Sequence, residues 1–289
     1  MLFGFETSEG DEITSCHGSL IAPEFVLLPA HCFDMMKLFY GVDPFSIMAV
    51  VGENERSFSS IMNNITENEA DYGVQACTDF INHPDYIPTV NNETLLDADG
   101  IAPVMRLNRS TGYRGGNNFA LCKLNAPVEI DTASVYLELD EEEDGDDNAL
   151  VDQTATMLGG ARFTIVENAV CDSFHERRGY EFDNTDTMLC VYVPPGSEEY
   201  MGGHGSALTL VDTEEDGRTK HTLVGLMISY SQYWEGEFVE YFSRVSAGMD
   251  WINQTVCVDH GSSASFCETT TEVSSGSFKK PSLVLLFFW

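Results

Sequence analysis

The stretch from Cys16 to Phe33, CHGSLIAPEFVLLPAHCF, contains the most informative pattern in the chain. Its apolar residues come in two short runs, SLIA and FVLL, separated by Pro23-Glu24. Short apolar runs divided by turn residues are typical of β-structure. His31 follows the second run and stands directly before Cys32. The stretch therefore predicts β-structure, with one histidine in the segment after it.

The same pattern recurs along most of the chain. Further short apolar runs are IMAVVGE, QACTDFINHP, FALCKLNAPVEI, TATMLGGARFTIV, HTLVGLMISY and VEYFSRVS. This composition and spacing predict an all-β barrel or sandwich protein. One helix is predicted, near the C-terminus, with Ser246 as its cap and residues 247–252 as its body.

Three segments occur in the order of a known family's motifs. They are CHGSLIAPEFVLLPAHC, NNFALCKL and GGHGSAL, where chymotrypsin-like serine proteases have CGGSLI…TAAHC, NDIALLKL and GDSGGPL. RVSAGMDWI also resembles the family's RVSSYLDWI, which precedes its terminal helix. The chain from about residue 10 to about residue 256 thus resembles this family. The resemblance implies an all-β fold of two packed six-stranded antiparallel β-barrels with a C-terminal α-helix.

The resemblance also implies a division of the chain. The first barrel is expected in residues 1–137 and the second barrel with its helix in residues 151–256. Residues 138–150 include the acidic run ELDEEEDGDD and are expected to be a solvated linker. Residues 257–289 are expected to form a disulfide loop and a disordered tail. The apolar end of that tail, SLVLLFFW, is too short for a membrane helix, which needs about 20 residues.

The resemblance places the family's catalytic positions on three residues. His31 corresponds to the catalytic histidine, Asn118 to the aspartate and His204 to the nucleophilic serine. Asparagine is neutral, so it cannot stabilise an imidazolium and can hold the wrong tautomer of the histidine. A neutral imidazole is a poor acyl acceptor. Two of three catalytic groups are therefore replaced, which predicts a non-catalytic homologue.

Neighbouring positions also depart from the family. Gly202 matches an oxyanion-hole glycine, but Gly203 replaces the aspartate that orders the hole in active members, and no IVGG-like segment occurs in the first 15 residues. Glu198 falls at the base of the specificity pocket and Ser229 in the strand beside it. The family's disulfide that braces this pocket has no cysteines here. We therefore expect a remodelled pocket.

Two alternatives to a non-catalytic homologue remain open. The first is an active endopeptidase in which Ser206 serves as an atypical nucleophile. The second is a metal-binding module built on His31 and His204, since imidazole is a good zinc ligand. Spacing reveals no third ligand, so neither a metal nor a cofactor is predicted.

The eight cysteines are even in number and lack a Cys-x-x-Cys motif. The resemblance implies the disulfides Cys16–Cys32 and Cys171–Cys190. Cys257 and Cys267 can close a small loop, and Cys77 and Cys122 could bridge consecutive predicted strands, with free thiols as the alternative.

Composition restricts the partners and the compartment. The 14 Lys and Arg against 47 Asp and Glu give a net charge of −33, which repels nucleic acids and anionic membranes. Glycosylation sequons begin at Asn64, Asn92, Asn108 and Asn253, and with the even cysteines they predict a secreted glycoprotein. The sequence thus predicts a secreted homologue that acts by binding or inhibition. Its expected partner is a protein ligand or hydrolase target, with basic proteins as candidates.

Overall fold

The computed structural model describes the chain in thirteen stretches. These are residues 2–6, 12–33, 48–51, 73–86, 116–128, 136–139, 149–157, 161–176, 186–193, 203–213, 219–230, 238–262 and 264–267. Within them the chain is predominantly β-structure, as the apolar runs predict.

The first half of the chain forms a seven-stranded antiparallel sheet. Its strands are β1 (Leu2–Glu6), β2 (Glu12–His17), β3 (Ser19–Ala22), β4 (Phe25–Leu28), β5 (Met48–Val51), β6 (Gly73–Asn82) and β7 (Ala120–Leu124). Their order is β2-β1-β5-β6-β7-β4-β3. β2 and β3 stand at the two ends of this order, yet only Gly18 separates them in the chain. Together they form one bent segment. That arrangement is consistent with a six-stranded barrel, although no hydrogen-bonded pairing between β2 and β3 occurs in the described ranges.

The second half forms a closed six-stranded barrel with one additional strand. Its strands are β8 (Tyr136–Leu139), β9 (Thr154–Met157), β10 (Arg162–Val166), β11 (Met188–Val193), β12 (Ala207–Thr213), β13 (Thr219–Tyr230) and β14 (Phe238–Arg244). Strands β12-β9-β10-β11-β14-β13 follow one another, and β12 pairs with β13 to close the ring. β8 pairs in parallel with residues 220–223 of β13, an exception to the predicted antiparallel pattern. β14 pairs only with residues 225–230 of the 12-residue β13, which leaves the start of β13 on that side available to β8.

The two halves share a core. Phe25 and Phe119 of the first half are fully buried in one cluster with Leu223 and Leu226 of β13. The C-terminal helix packs into the same cluster so closely that a Cβ on Gly248 would lie 3.1 Å from the Phe119 ring. This contact holds the segment before β7, which contains Asn118, against the second barrel.

The helices differ in two respects from the sequence-based prediction. Besides a helical turn at residues 30–33, the described helices are α1 (Asn168–Glu176), α2 (Val245–Asn253), a π-helix (Gln254–Asp259) and a 3₁₀-helix (Ser265–Cys267). The expectation of one helix was wrong, because α1 was not predicted. α1 is held to the barrel by tertiary contacts, since Cys171 bonds to Cys190 and Phe174 is buried.

Ser246 as the helix cap was also wrong. Residue Arg244 is the N-cap of α2, in extended conformation and without a side-chain capping bond, and Ser246 lies inside the first turn. The reason is that β14 runs directly into the helix: Arg244 is its last residue, and its N–H donates to the Thr187 carbonyl at 2.9 Å. The end of the sheet therefore sets the start of α2.

All eight cysteines are paired as predicted. The bonds are Cys16–Cys32, Cys77–Cys122, Cys171–Cys190 and Cys257–Cys267, with Cα–Cα distances of 6.0, 5.5, 6.0 and 5.3 Å. The free-thiol alternative is therefore excluded. Among the described helices, none has the length and apolarity needed to cross a membrane.

Candidate functional site

His31 is placed by a strand, a helical turn and a disulfide. β4 ends at Leu28, and residues 30–33 form one helical turn that contains His31 and Cys32. The Cys16–Cys32 bond holds this turn to the end of β2. As a result only 2% of the His31 surface is exposed. The strand, the turn and the disulfide therefore fix the position of its imidazole independently of the hydrogen-bond partners.

Asn118 binds His31 at two points. The His31 backbone N–H donates to Asn118 Oδ1 at 3.0 Å, and Asn118 Nδ2 is 2.9 Å from His31 Nδ1. Because a backbone N–H can only donate, the oxygen of the amide must face it, and the NH₂ group must face the imidazole. The backbone of Asn118 is held separately, since Ser243 Oγ donates to its main-chain carbonyl at 3.1 Å. The orientation of the amide is therefore set by its surroundings.

This orientation determines the tautomer of His31. Since Asn118 Nδ2 donates to Nδ1, that nitrogen accepts and carries no hydrogen. A neutral His31 must then have its hydrogen on Nε2. Nε2 lies 3.1 Å from Nδ1 of His204, with the ring planes at 76°. His31 therefore donates to His204, which is the opposite of the proton-accepting role that a general base needs.

A tight turn presents His204. Ser206 N donates to the Gly203 carbonyl at 2.9 Å, and Gly205 has φ of +82°. These are the features of a type II turn with glycine at its third position. The turn is joined to β13, because Gly205 N donates to the Met227 carbonyl at 2.7 Å. The His17 backbone N–H also donates to the His204 carbonyl at 2.6 Å.

Ser206 lies inside this turn. Its side chain is 2% exposed, and its Oγ accepts a hydrogen bond from Gly203 N at 2.9 Å. The hydroxyl therefore closes the turn that presents His204. This arrangement holds the oxygen in the scaffold, and within the described stretches no imidazole is bonded to it to take its proton.

Burial keeps the imidazoles of the site neutral. Desolvation lowers the pKa of His31, the neighbouring His204 also lowers it, and the resulting pKa is about 3. Desolvation also lowers the pKa of His204, against a hydrogen bond to the Ile228 backbone that raises it. Both rings are therefore uncharged at neutral pH.

His17 is a third imidazole beside the site that was not anticipated. Burial is the main cause that lowers its pKa to about 4, and its Nδ1 is buried without a hydrogen-bond partner. The sequence feature that could have indicated His17 is a histidine where the resembling CGGSLI motif has a glycine. Despite this third ring, no group of three or more His, Cys, Asp or Glu side chains in the described stretches is arranged to hold a metal ion. Structural and catalytic zinc sites use three or four protein ligands.

The other predicted site residues are only partly described. Gly202, Glu198, Asn64, Asn92 and Asn108 lie outside the described residues. Ser229 lies in β13, where its backbone alone is described. Asn253 is the last residue of α2 and is half-buried, and Thr255 of the same sequon is 6% exposed. Their predicted roles stay predictions.

Comparison with known proteins identifies one family. A protein-family model described as Trypsin matches residues 4–252, which is most of the chain. No curated protein matches the chain.

Proposed function

We propose that this chain, which belongs to the trypsin family, is a non-catalytic member of it that acts by binding or inhibiting another protein. The observation that carries the proposal is the direction of the hydrogen bonds at the site. Asn118 donates to His31, and His31 donates to the ring that stands in the nucleophile position. In a working triad, the aspartate accepts from the histidine and the histidine accepts from the serine.

The size of the two losses supports this proposal. Asparagine in place of the aspartate typically costs about 10⁴ in turnover, since it holds the wrong tautomer. Removal of the nucleophile typically costs about 10⁶. A neutral imidazole at residue 204 accepts a hydrogen bond at Nδ1 from His31, so that nitrogen's lone pair is engaged. Chemistry by the family's mechanism therefore has neither a base nor a nucleophile here.

The rival function, an endopeptidase with Ser206 as its nucleophile, has less support. A nucleophilic serine must expose its oxygen and must be bonded to a base. Ser206 is 2% exposed and bonded to a backbone N–H. The metal-binding alternative lacks a third ligand among the described residues.

The proposed setting and partner rest on covalent structure and charge. Four disulfides favour an oxidising compartment, and with the sequons they support a secreted glycoprotein. A net charge of −33 favours a protein partner with basic side chains over nucleic acid or an anionic membrane.

The test is direct measurement of nucleophile and turnover. Purified full-length protein is incubated with a fluorophosphonate probe and with peptide esters that have Lys, Phe or Ala at the cleaved position. Active trypsin is the positive control and Ser206→Ala is the matched variant. We expect neither labelling nor hydrolysis above background in either form. Saturable hydrolysis that Ser206→Ala abolishes would establish the endopeptidase instead.

A further inference from the structure

A continuous chain of hydrogen bonds joins the two barrels at the candidate site. Asn118 donates to Nδ1 of His31, and His31 donates from Nε2 to Nδ1 of His204. His204 also bonds to the backbone of Ile228, and that bond raises its pKa. A backbone group that raises the pKa of an imidazole accepts from it, so the Ile228 carbonyl takes the remaining N–H of His204. Every link therefore runs in one direction, from the first barrel into β13.

Neither imidazole of this chain can bind a proton where it stands. A second hydrogen on His204 would occupy Nδ1, which already accepts from His31 across 3.1 Å. A second hydrogen on His31 would occupy its own Nδ1, which faces the NH₂ group of Asn118 at 2.9 Å. In both cases two donors would face each other without an acceptor between them. Protonation therefore requires that one of these bonds is broken.

The groups around the two rings supply no negative charge that could offset a proton. Within the described stretches, no carboxylate acts on the pKa of His31 or His204. His17, at the end of β2, and His204 repel each other when charged. On β14, Arg244 is always positive, and Glu240 is 2% exposed with both oxygens buried and without a hydrogen-bond partner. Burial raises the pKa of Glu240 well above its ordinary value, so this carboxyl group is neutral in acid.

The side chain of His204 is the member of the chain that can leave. It is partly exposed, whereas only 2% of the His31 surface is exposed. The backbone of its turn is fixed to β13, since Gly205 N donates to the Met227 carbonyl at 2.7 Å and Met227 N donates to the Ser206 carbonyl at 2.9 Å. Rotation about the side-chain bonds of His204 therefore carries its ring into water while the turn stays in place.

We propose that His31 and His204 form a latch between the two barrels that acid opens, as the His204 ring leaves the site for the solvent and binds a proton there. The proton comes from water and is held on Nδ1, the nitrogen that His31 has released. An imidazole in water has a pKa near 6.5, so each pH unit below that value favours the open form about tenfold. The surface at the nucleophile position thus depends on pH, whether or not the protein binds a partner as proposed above.

The test follows the ring N–H groups of the latch in full-length protein labelled with ¹⁵N. Both hydrogens lie on Nε2 and are hydrogen-bonded, so NMR should detect them as protected signals at pH 7. Their exchange with water is measured from pH 7 to pH 4. The backbone N–H of Leu27, a fully buried residue paired on both sides of β4, reports global unfolding in the same samples. His260→Gln, at an exposed histidine outside the latch, is the matched control.

The expected result is local opening in acid. Exchange of the two ring N–H groups, corrected for the intrinsic effect of pH, should accelerate about tenfold for each pH unit below about 6. The Leu27 amide should stay protected over the same range, and His260→Gln should behave like the wild type. If the ring N–H groups and the Leu27 amide lose protection together, acid acts on the whole fold and the proposal is overturned.

The variant His204→Gln separates titration from hydrogen bonding. Glutamine can accept from His31 with its oxygen and donate to the Ile228 carbonyl with its NH₂ group, but it does not titrate. The ring N–H of His31 should therefore show no acid acceleration in this variant. Acceleration equal to that of the wild type would overturn the proposal. Should the variant not fold, the comparison of the ring N–H groups with the Leu27 amide in wild-type protein still decides the question.

Discussion

The side-chain amide of Asn118 donates a hydrogen bond to Nδ1 of His31 across 2.9 Å. The direction of this bond is fixed from the opposite side of the amide, where Oδ1 accepts the His31 backbone N–H at 3.0 Å. Asn118 therefore holds His31 as rigidly as a carboxylate would, but in the tautomer that cannot accept a proton at Nε2. The geometry of a catalytic pair is kept while its proton is on the wrong nitrogen.

Asn118→Asp should reverse the tautomer of His31. A carboxylate cannot donate, so Nδ1 must then carry the hydrogen, and the added negative charge should raise the pKa of His31 from about 3. The ring ¹⁵N chemical shifts of His31, followed against pH, report both changes. Wild-type protein with a protonated Nδ1 at neutral pH would contradict the hydrogen-bond directions inferred here.

Acidification should destabilise the protein through its buried histidines. The pKa of His31 is about 3 in the folded chain, against an ordinary value of 6.5, so the unfolded chain binds more protons between these limits. Its contribution to stability is present above pH 6.5 and is lost as the pH falls towards 3. Between pH 7 and pH 5 the loss should be about 1–2 kcal/mol.

Comparison with His31→Gln isolates that contribution. Glu240 acts in the opposite sense, because its raised pKa lowers stability as the pH rises above its ordinary range, but it is present in both proteins and cancels. Urea unfolding at pH 7 and pH 5 measures the free energy of unfolding of each. An equal dependence on pH in wild type and His31→Gln would show that His31 titrates normally.

His204→Ser combined with Asn118→Asp should not restore a working protease. The two changes return an oxygen and an orienting charge, yet Gly203 still offers no carboxylate and its N–H remains bonded to Ser206 Oγ. Oxyanion donors are worth about 3–4 kcal/mol only when they are preorganised. We expect turnover of peptide esters far below that of a digestive protease, and slow reaction with a fluorophosphonate at most. Turnover within about tenfold of such a protease would show that the scaffold is already preorganised.

Gly205→Ala should be strongly destabilising. Gly205 has φ of +82°, and a Cβ there would overlap the carbonyl oxygen of His17. Gly261→Ala is the matched control, since Gly261 has φ of +63° but nothing within 4 Å of its would-be Cβ. Gly261→Ala should lower the free energy of unfolding by about 1 kcal/mol, because alanine disfavours the left-handed backbone. Gly205→Ala should lower it by at least about 2 kcal/mol more. Equal midpoints in urea unfolding would mean that the turn at His204 is not packed against His17.

The β-structure and the positions of His31, Asn118 and His204 could be predicted from sequence because their signals are local. Strand runs are encoded by neighbouring apolar residues, and each of the three site residues lies within a short stretch that resembles a family motif. The resemblance implied the disulfides Cys16–Cys32 and Cys171–Cys190, whereas the sequence left Cys77–Cys122 and Cys257–Cys267 open beside the alternative of free thiols. Helix α1 was missed because its stability comes from the Cys171–Cys190 bond and the burial of Phe174.

The sequence by itself determined the family and the strands and predicted the replacement of two catalytic groups, since residue identities and short-range patterns carry that information. Only the tertiary structure decided the direction of the hydrogen bonds between residues 87 and 173 positions apart, the closure of the turn by Ser206, and the isolation of Glu240. Burial and proton position depend on which distant segments pack together, and no local pattern in the chain encodes them.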